Sequence, residues 1–405
     1  MKSLFPFTWL ALLLIGCESA WLAPADDSAQ RFVKLYGALG ADRLADFAPQ
    51  GDGYLLLGSS DSLQSGASDL MLIQTDSAGN QQGQTLALGD PDLAESAVKL
   101  LPRAEGWLLL GNQTLPDGRQ RGYLVALDAG LTPRWTRTLS QNLDAPDDSA
   151  ESFILADAVL RDDAQLYWIG RTTDVDPLKN TDGDTLSTGD VEDLWVGQLD
   201  LSGSEPVQVW QQRYGFKAAD VGVALSLSPD GARLLAIGHS QFPANQTQTK
   251  LLLVQLRADG FLLDQQTLAE PDDRAVDLAY DATLPGWQVL SYQVGGAVRL
   301  RTVETTFSVS STTHLGLSGA VPSDLFLDDT HLWITGVQAN NELFYQDLRA
   351  GPPPFSVDTL GYPAVQPPNQ SGRIRSGPGQ SVLIGATLGW TDGGSLMMLA
   401  RRALE

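Results

Sequence analysis

A short hydrophobic run closed by glycine recurs along the chain: YLLLG at 54–58, WLLLG at 107–111, YWIG at 167–170, LLAIG at 234–238, LWITG at 332–336 and SVLIG at 381–385. WQVLS at 287–291 is a seventh copy without the glycine. Apolar runs this short, with no polar alternation, suit strands buried on both faces, because a helix of the same pattern needs ten or more periodic positions. A polar loop follows each run, and then a second segment in which apolar and polar residues alternate: LMLIQTD (70–76), YLVALD (123–128), LWVGQLD (194–200), LLLVQL (251–256), VRLRTV (298–303), FYQDL (344–348) and LMMLAR (396–401). Several of these meet a hairpin signal, at Ser77-Ala78-Gly79-Asn80, Ala129-Gly130, Ser202-Gly203 and Asp259-Gly260. Beyond the hairpins lie further strand-like runs, GQTLALG (83–89), RWTRTL (134–139), VWQQRYG (209–215), LLDQQTL (262–268), TTFSVSS (305–311) and FSVDTLG (355–361). A weaker alternating stretch, such as Asp46-Phe47-Ala48, precedes the glycine-closed run.

Lettered A to D from the inside of a blade outward, these strands return at intervals of roughly 45 to 68 residues, too long for a solenoid turn and suited to one four-stranded blade. The expectation is an all-β fold, a seven-bladed β-propeller of four-stranded antiparallel blades over residues 31–405. There are seven A-B-C sets but only six D strands after them. A spare D-like run, Gln30 to Gly37, stands ahead of the first A strand and matches Trp210 to Gly215 in type. The N-terminal strand is therefore predicted to complete the last blade and remove the open edge where the chain ends meet. The competing arrangement is open or six-bladed, because residues 274–350 lack either the glycine-closed B strand or the hairpin turn of the other repeats.

Composition narrows the function classes. The 405 residues carry a formal net charge of −23, which argues against nucleic acid and anionic lipid surfaces as partners, since both need a basic footprint. Cations, basic proteins and neutral glycans remain, beside an acidic surface that serves solubility alone. A single cysteine excludes a disulfide framework. With three histidines and no Gly-x-Ser-x-Gly turn, the chain lacks the material for a nucleophilic triad or a zinc site. No catalytic residue is assigned; the enzyme chemistry left open is that of a carbohydrate-active enzyme, a glycoside hydrolase or lyase using paired carboxylates at the channel mouth.

In a propeller the D-to-A and B-to-C loops share one face. Asp42, Asp61, Asp92, Asp148, Asp220 and Asp272 fall on those loops and form a candidate acidic binding face; the competing reading is that such carboxylates accept backbone hydrogen bonds and tie neighbouring blades together. The longest B-to-C loop supplies Asp174, Asp176, Asn180, Asp182, Asp184 and Asp190, hard oxygen donors that make it a candidate Ca²⁺ site. Gly183 lies between the second and third ligands of Asn180-x-Asp182-x-Asp184, and no Glu stands at the twelfth place, so a solvated acidic loop is the alternative.

Three resemblances add to this. Lys2, the apolar run Leu4 to Ile15 and the closing Leu14-Ile15-Gly16-Cys17 resemble a bacterial lipoprotein signal. That resemblance implies cleavage after residue 16, lipidation of Cys17, a flexible tether over 17–30, and, with Glu18 next, sorting to the outer membrane. Tyr36-Gly37 with Asp42, Gly53-Tyr54, Ser68-Asp69-Leu70 and Asp76-x-x-Gly79-Asn80 resemble the propeller repeats of secreted and surface-anchored bacterial proteins. YLVALDAGLTPRW (123–135) is similar to the repeats of quinoprotein-type propellers and of the propeller lipoprotein that helps assemble outer-membrane barrels. Together they imply a β-propeller-repeat lipoprotein of a Gram-negative envelope, touching the membrane only through its lipid and binding or scaffolding an envelope protein or glycan.

Overall fold

The computed structural model describes residues 32–37, 40–61, 68–139, 152–174, 191–216, 219–241, 248–339, 342–350, 372–378, 381–389 and 394–403. They form seven antiparallel sheets in a ring, six of four strands and one, Val321–Leu327 with Leu332–Val337 and Leu343–Asp347, of three among the described residues. The D strand expected at 355–361 in that blade lies outside them. The inner strands are Arg43–Gln50, Ala94–Arg103, Ser152–Arg161, Ala219–Leu227, Asp273–Asp281, Val321–Leu327 and Arg373–Gly377, and each neighbours the next around the ring. This is a seven-bladed β-propeller, and the open and six-bladed alternatives fall: residues 274–350 build blades five and six despite their departures from the repeat.

The glycine-closed runs are the second strands, and Gly53–Ser60 is buried along its whole length. Burial on both faces follows from where the core lies. It is divided into seven clusters, one in each cleft between adjacent blades; Leu55, Leu57, Leu70 and Leu72 of blade one meet Leu109, Tyr123 and Val125 of blade two. Alternate residues of one strand therefore face different clefts, and both sets must be apolar. The closing glycine has its own cause. A β-carbon at Gly58, Gly111, Gly170, Gly238 or Gly336 would collide with the carbonyl of Arg43, Ser96, Ile154, Val221 or Val321 on the paired inner strand. In blade five Ser291 takes this place, fully buried, and accepts a hydrogen bond from Arg301 Nη1.

The ring closes as expected. Phe32–Tyr36 pairs antiparallel with Ser395–Ala403, placing Phe32 opposite Arg401 and Tyr36 opposite Met397, so the seventh blade takes its outer strand from the start of the chain. Tyr36 donates its hydroxyl to Gly79 O at 2.6 Å, and Phe32 packs in the same cleft with Phe47 and Tyr54. One strand is displaced from its expected position. The outer strand of blade five is Val309–His314, later than the 305–311 run, because Phe307 takes φ 69° and donates its N–H to Glu304 O at 2.8 Å, turning the chain at Thr305-Thr306.

Candidate binding face and channel

Six of the seven inner strands carry a β-bulge at the same place, marked by register shifts at Leu44/Asp46, Ala97/Lys99, Leu155/Asp157, Gly222/Ala224, Ala275/Asp277 and Pro322/Asp324. A bulge re-aims the side chain that follows it. Asp46, Lys99, Asp157, Ala224, Asp277 and Asp324 thus become equivalent positions around the channel; in blade seven Arg373 pairs with the closing glycine Gly385 and stands one residue before the amide that Asp324 captures.

Four of these residues do the same work. Asp46 Oδ2 accepts from Leu100 N–H at 3.1 Å, Asp157 Oδ2 from Leu225 at 3.2 Å, Asp277 Oδ2 from Leu325 at 3.0 Å and Asp324 Oδ2 from Ile374 at 2.8 Å. Each carboxylate therefore captures the inner-strand amide of the following blade. Lys99 cannot accept, and it reaches Asp157 Oδ1 at 2.8 Å instead. Arg373 donates from Nε to Ala45 O at 2.8 Å and from Nη1 to Asp324 Oδ1 at 3.0 Å. Arg375, two residues along, bridges Asp324 Oδ2 and Asp46 Oδ1, both at 2.8 Å, between the rings of Phe47 and Phe326. Four carboxyls and three cations thus hold the inner strands together across the channel.

Their titration follows from this pairing. Burial pushes the Asp324 carboxyl up, but Arg375 and Arg373 outweigh it and hold the group down at about 2. Asp277 has no ion-pair partner among the described residues, and burial, with Asp324 beside it, raises its carboxyl to about 7. Lys99 keeps its proton more tightly than usual, because Asp157 and Asp46 overcome the cost of burial.

The acids expected on the loop face divide into two kinds. Asp42 and Asp220 are fully buried, each tucked against the left-handed glycine that ends the preceding blade, Gly37 at φ 131° and Gly215 at φ 140°. A side chain at either glycine would collide with that carboxylate. Asp220 Oδ2 accepts from Phe216 N–H at 2.5 Å, while burial, with Asp193 adding to it, raises the group to about 7. Glu95, which the sequence places with Asp92 among the acids of the D-to-A loops, repeats the arrangement beside Gly89 and accepts from Asp90 N–H and Gln113 Nε2, both at 2.9 Å. Asp61, Asp92 and Asp272 lie nearer the surface: Asp61 and Asp92 are exposed, Asp272 half-buried at φ 58°. Asp61 Oδ1 accepts from Ala41 N–H at 2.6 Å. Asp148 and Cys17 lie outside the described residues, as do Asp176, Asn180, Asp182, Asp184 and Asp190; Asp174 is the last residue of the strand Gln165–Asp174. Among the described residues no three His, Cys, Asp or Glu side chains are grouped to hold a metal ion.

Two of the cavities among the described residues bear on function. At the channel mouth, on the D-to-A and B-to-C face, a pocket of about 370 Å³ is lined by Arg43, Leu44, Ala45, Ser59, Ser96, Ala97, Val98, Asn112, Ala156 and Arg373, and no carboxylate is among them. On the opposite face a cleft of about 550 Å³ between blades two and three is lined by Trp135, Arg103 and the hairpins at Asp162-Asp163 and Ser202-Gly203-Ser204. A glycosidase needs two carboxyls flanking a sugar-sized space. The mouth pocket offers none, and the carboxyls beneath it are bonded to neighbouring blades, so the carbohydrate-active alternative is not favoured.

Repetition of the inner-strand aspartate was readable only by aligning Ala45-Asp46-Phe47, Ala156-Asp157-Ala158, Val276-Asp277-Leu278 and Ser323-Asp324-Leu325 as a variable residue, Asp and an apolar residue. The weak alternation of the A strands concealed it, since a bulge breaks the period of two.

No protein-family model matches the chain, and no curated protein matches it in sequence. Solved structures do match in shape. YCF48 bound to D1 peptide shares 12% identity at TM-score 0.52, with 95% of this chain and 99% of that one covered. The BP39L lectin from Burkholderia pseudomallei shares 10% identity at TM-score 0.54, over 90% and 97% of the two chains. A puromycin hydrolase shares 15% identity at TM-score 0.49; 86% of this chain covers 50% of the hydrolase, so the chain spans half of that enzyme's length. At these identities the likeness to YCF48 and the lectin is one of fold, the β-propeller.

Proposed function

We propose that this chain is a lipid-anchored protein of the Gram-negative cell envelope, held at the outer membrane through Cys17, whose propeller works as a binding or scaffolding module through its loop-rich, acidic face. One observation carries the reading: the channel carboxylates are committed to joining blades, while the D-to-A and B-to-C loops present Asp61, Asp92 and Asp272 towards the surface. Chemistry is thus withdrawn from the channel, and recognition is left to loops on a rigid scaffold. The partner is an envelope protein or glycan, and the net charge of −23 favours one with basic or neutral contacts.

Photo-crosslinking in intact cells tests it. A crosslinker at Asp92 or Asp272 is expected to trap a discrete envelope partner, while one at Glu105 or Asp259, on the hairpins of the opposite face, is not. Trapping from the opposite face alone, or from neither, overturns the assignment.

A further inference from the structure

The pocket at the channel mouth runs against the character of the whole molecule. The chain carries −23 formal charge, yet the charged residues lining this pocket are Arg43 and Arg373 and no acid. At physiological ionic strength charges interact strongly over roughly 8–10 Å, so the pocket responds to its own lining more than to the distant acidic surface.

The two guanidiniums are differently held. Arg373 is anchored on one edge by Ala45 O and Asp324, and its Nη2 is bonded to nothing among the described residues. Arg43 is exposed at the start of its strand and makes no ion pair among the described residues. Ser96 adds an exposed side chain, and Asn112, locked by its two bonds to the Leu155 backbone, fixes the wall opposite. Val98 and Ala156 add apolar side chains to a lining that also carries Arg43, Arg373, Ser59, Ser96 and Asn112.

We infer that this pocket binds a carboxylate carried on a small apolar body, with Arg43 and Arg373 Nη2 as the donors. Guanidinium forks match planar carboxylates two bonds at a time. A monoanion is preferred to a phosphate dianion because Arg373 is already paired with Asp324, and Asp46 lies just beneath. The cavity of about 370 Å³ is of ligand-pocket size, and with Leu44, Ala97, Val98 and Ala156 in its lining it has room and apolar contacts for a short aliphatic chain. The group has two possible sources, a free aliphatic acid or the C-terminal carboxylate of a polypeptide. The inference rests on the reading that this face is the binding face, but it needs neither the lipid anchor nor the natural partner.

Calorimetric titration of the full chain in detergent with hexanoate, hexanamide, N-acetyl-Gly-Ala-Leu and its C-terminal amide tests it. Hexanoate or the free peptide acid is expected to bind saturably, with the amide of each at least tenfold weaker. Whichever acid binds more tightly names the source. Arg43→Gln is expected to weaken binding tenfold or more with an unchanged melting point, since Arg43 holds no ion pair among the described residues. Arg373→Lys, which keeps the charge but loses the fork, is expected to weaken it less. Absence of saturable binding by either acid, equal binding of acid and amide, preference for inorganic phosphate, or unaltered affinity in Arg43→Gln would each overturn the proposal. These titrations use purified protein and defined probes, so a negative result here leaves the crosslinking test of the face standing, and a negative crosslinking result leaves this one standing.

Discussion

Ring closure by the first strand makes a quantitative demand on Phe32. The side chain is only 8% exposed, and its ring centroid lies 6.1 Å from that of Tyr54. Truncating a buried Phe to Ala costs about 3–5 kcal/mol, through lost transfer energy and the cavity left behind. Unfolding entropy near 2.1 cal/mol/K per residue gives the 405-residue chain a shift of roughly 1–1.5 °C for each kcal/mol. Phe32→Ala is thus expected to lower the melting temperature by about 4–6 °C. Tyr36→Phe removes one bond and strands Gly79 O, which corresponds to about 1–3 kcal/mol. Excising residues 30–37 is expected to exceed either change and to leave the Ser395–Ala403 edge open to association. Scanning calorimetry reads the first quantity, and amide exchange in the Ser395–Ala403 strand reads the second. A melting point for Phe32→Ala indistinguishable from the parent's, with unchanged exchange in that strand, would refute the argument that this strand latches the ring.

Other outcomes follow from the same geometry. Arg375→Leu leaves Asp46 and Asp324 without their shared cation and is expected to cost about 3–5 kcal/mol in urea denaturation; a loss within error of zero would show the belt is not structural. Asp220 has a raised folded-state carboxyl, so the folded chain holds a proton that the unfolded chain releases at about 4. Its contribution is complete below that pH and lost as pH rises to about 7, and Asp220→Asn should flatten the stability profile in this window. An identical slope in parent and variant contradicts the assignment. Asp324 works in the opposite sense: its stabilisation is present above about 4 and lost as pH falls toward about 2, so acid unfolding should begin at higher pH in Arg375→Leu. Cys17→Ser should move the protein from the membrane to the soluble fraction without altering its melting point; persistent membrane association argues for an uncleaved anchor. If the loop that holds Asp174 to Asp190 binds Ca²⁺, millimolar Ca²⁺ added to the metal-stripped chain raises its melting temperature, and Asp182→Asn with Asp184→Asn abolishes the rise. No rise in the parent chain ends the Ca²⁺ proposal.

The blades were legible because their second strands are buried on both faces and therefore uniformly apolar, and the closure was legible because an outer strand could be counted as missing at one end and spare at the other. Blade five was harder. Thr305-Thr306-Phe307 reads as strand by residue type, and nothing local announces that Phe307 adopts a left-handed turn conformation whose side chain is buried between blades. The channel was hardest. Arg375 meets Asp46 from 329 positions away, and a bulge hides the equivalence of Asp46, Asp157, Asp277 and Asp324. The pocket arginines were invisible for another reason: net charge averages over a surface, whereas a pocket is defined by the few side chains that reach it.

Closure has a kinetic side. Phe32–Tyr36 is the first strand of the ring to be synthesised, and its partner Ser395–Ala403 the last. The two lie roughly 360 residues apart, and bringing such distant segments together costs on the order of 5 kcal/mol of chain entropy if nothing between them is yet folded. The cost falls as each intervening blade forms and carries the ends around the circle, so the latch engages most readily on an otherwise complete ring. Until then a strand bearing Phe32 and Tyr36 waits unpaired at one end and the edge of blade seven waits at the other, and each is a natural partner for the same element of another molecule. Crowded, partly folded copies are thereby exposed to strand exchange between molecules, and a chaperone that shields the N-terminal strand until synthesis ends would act at the step where this fold is most vulnerable.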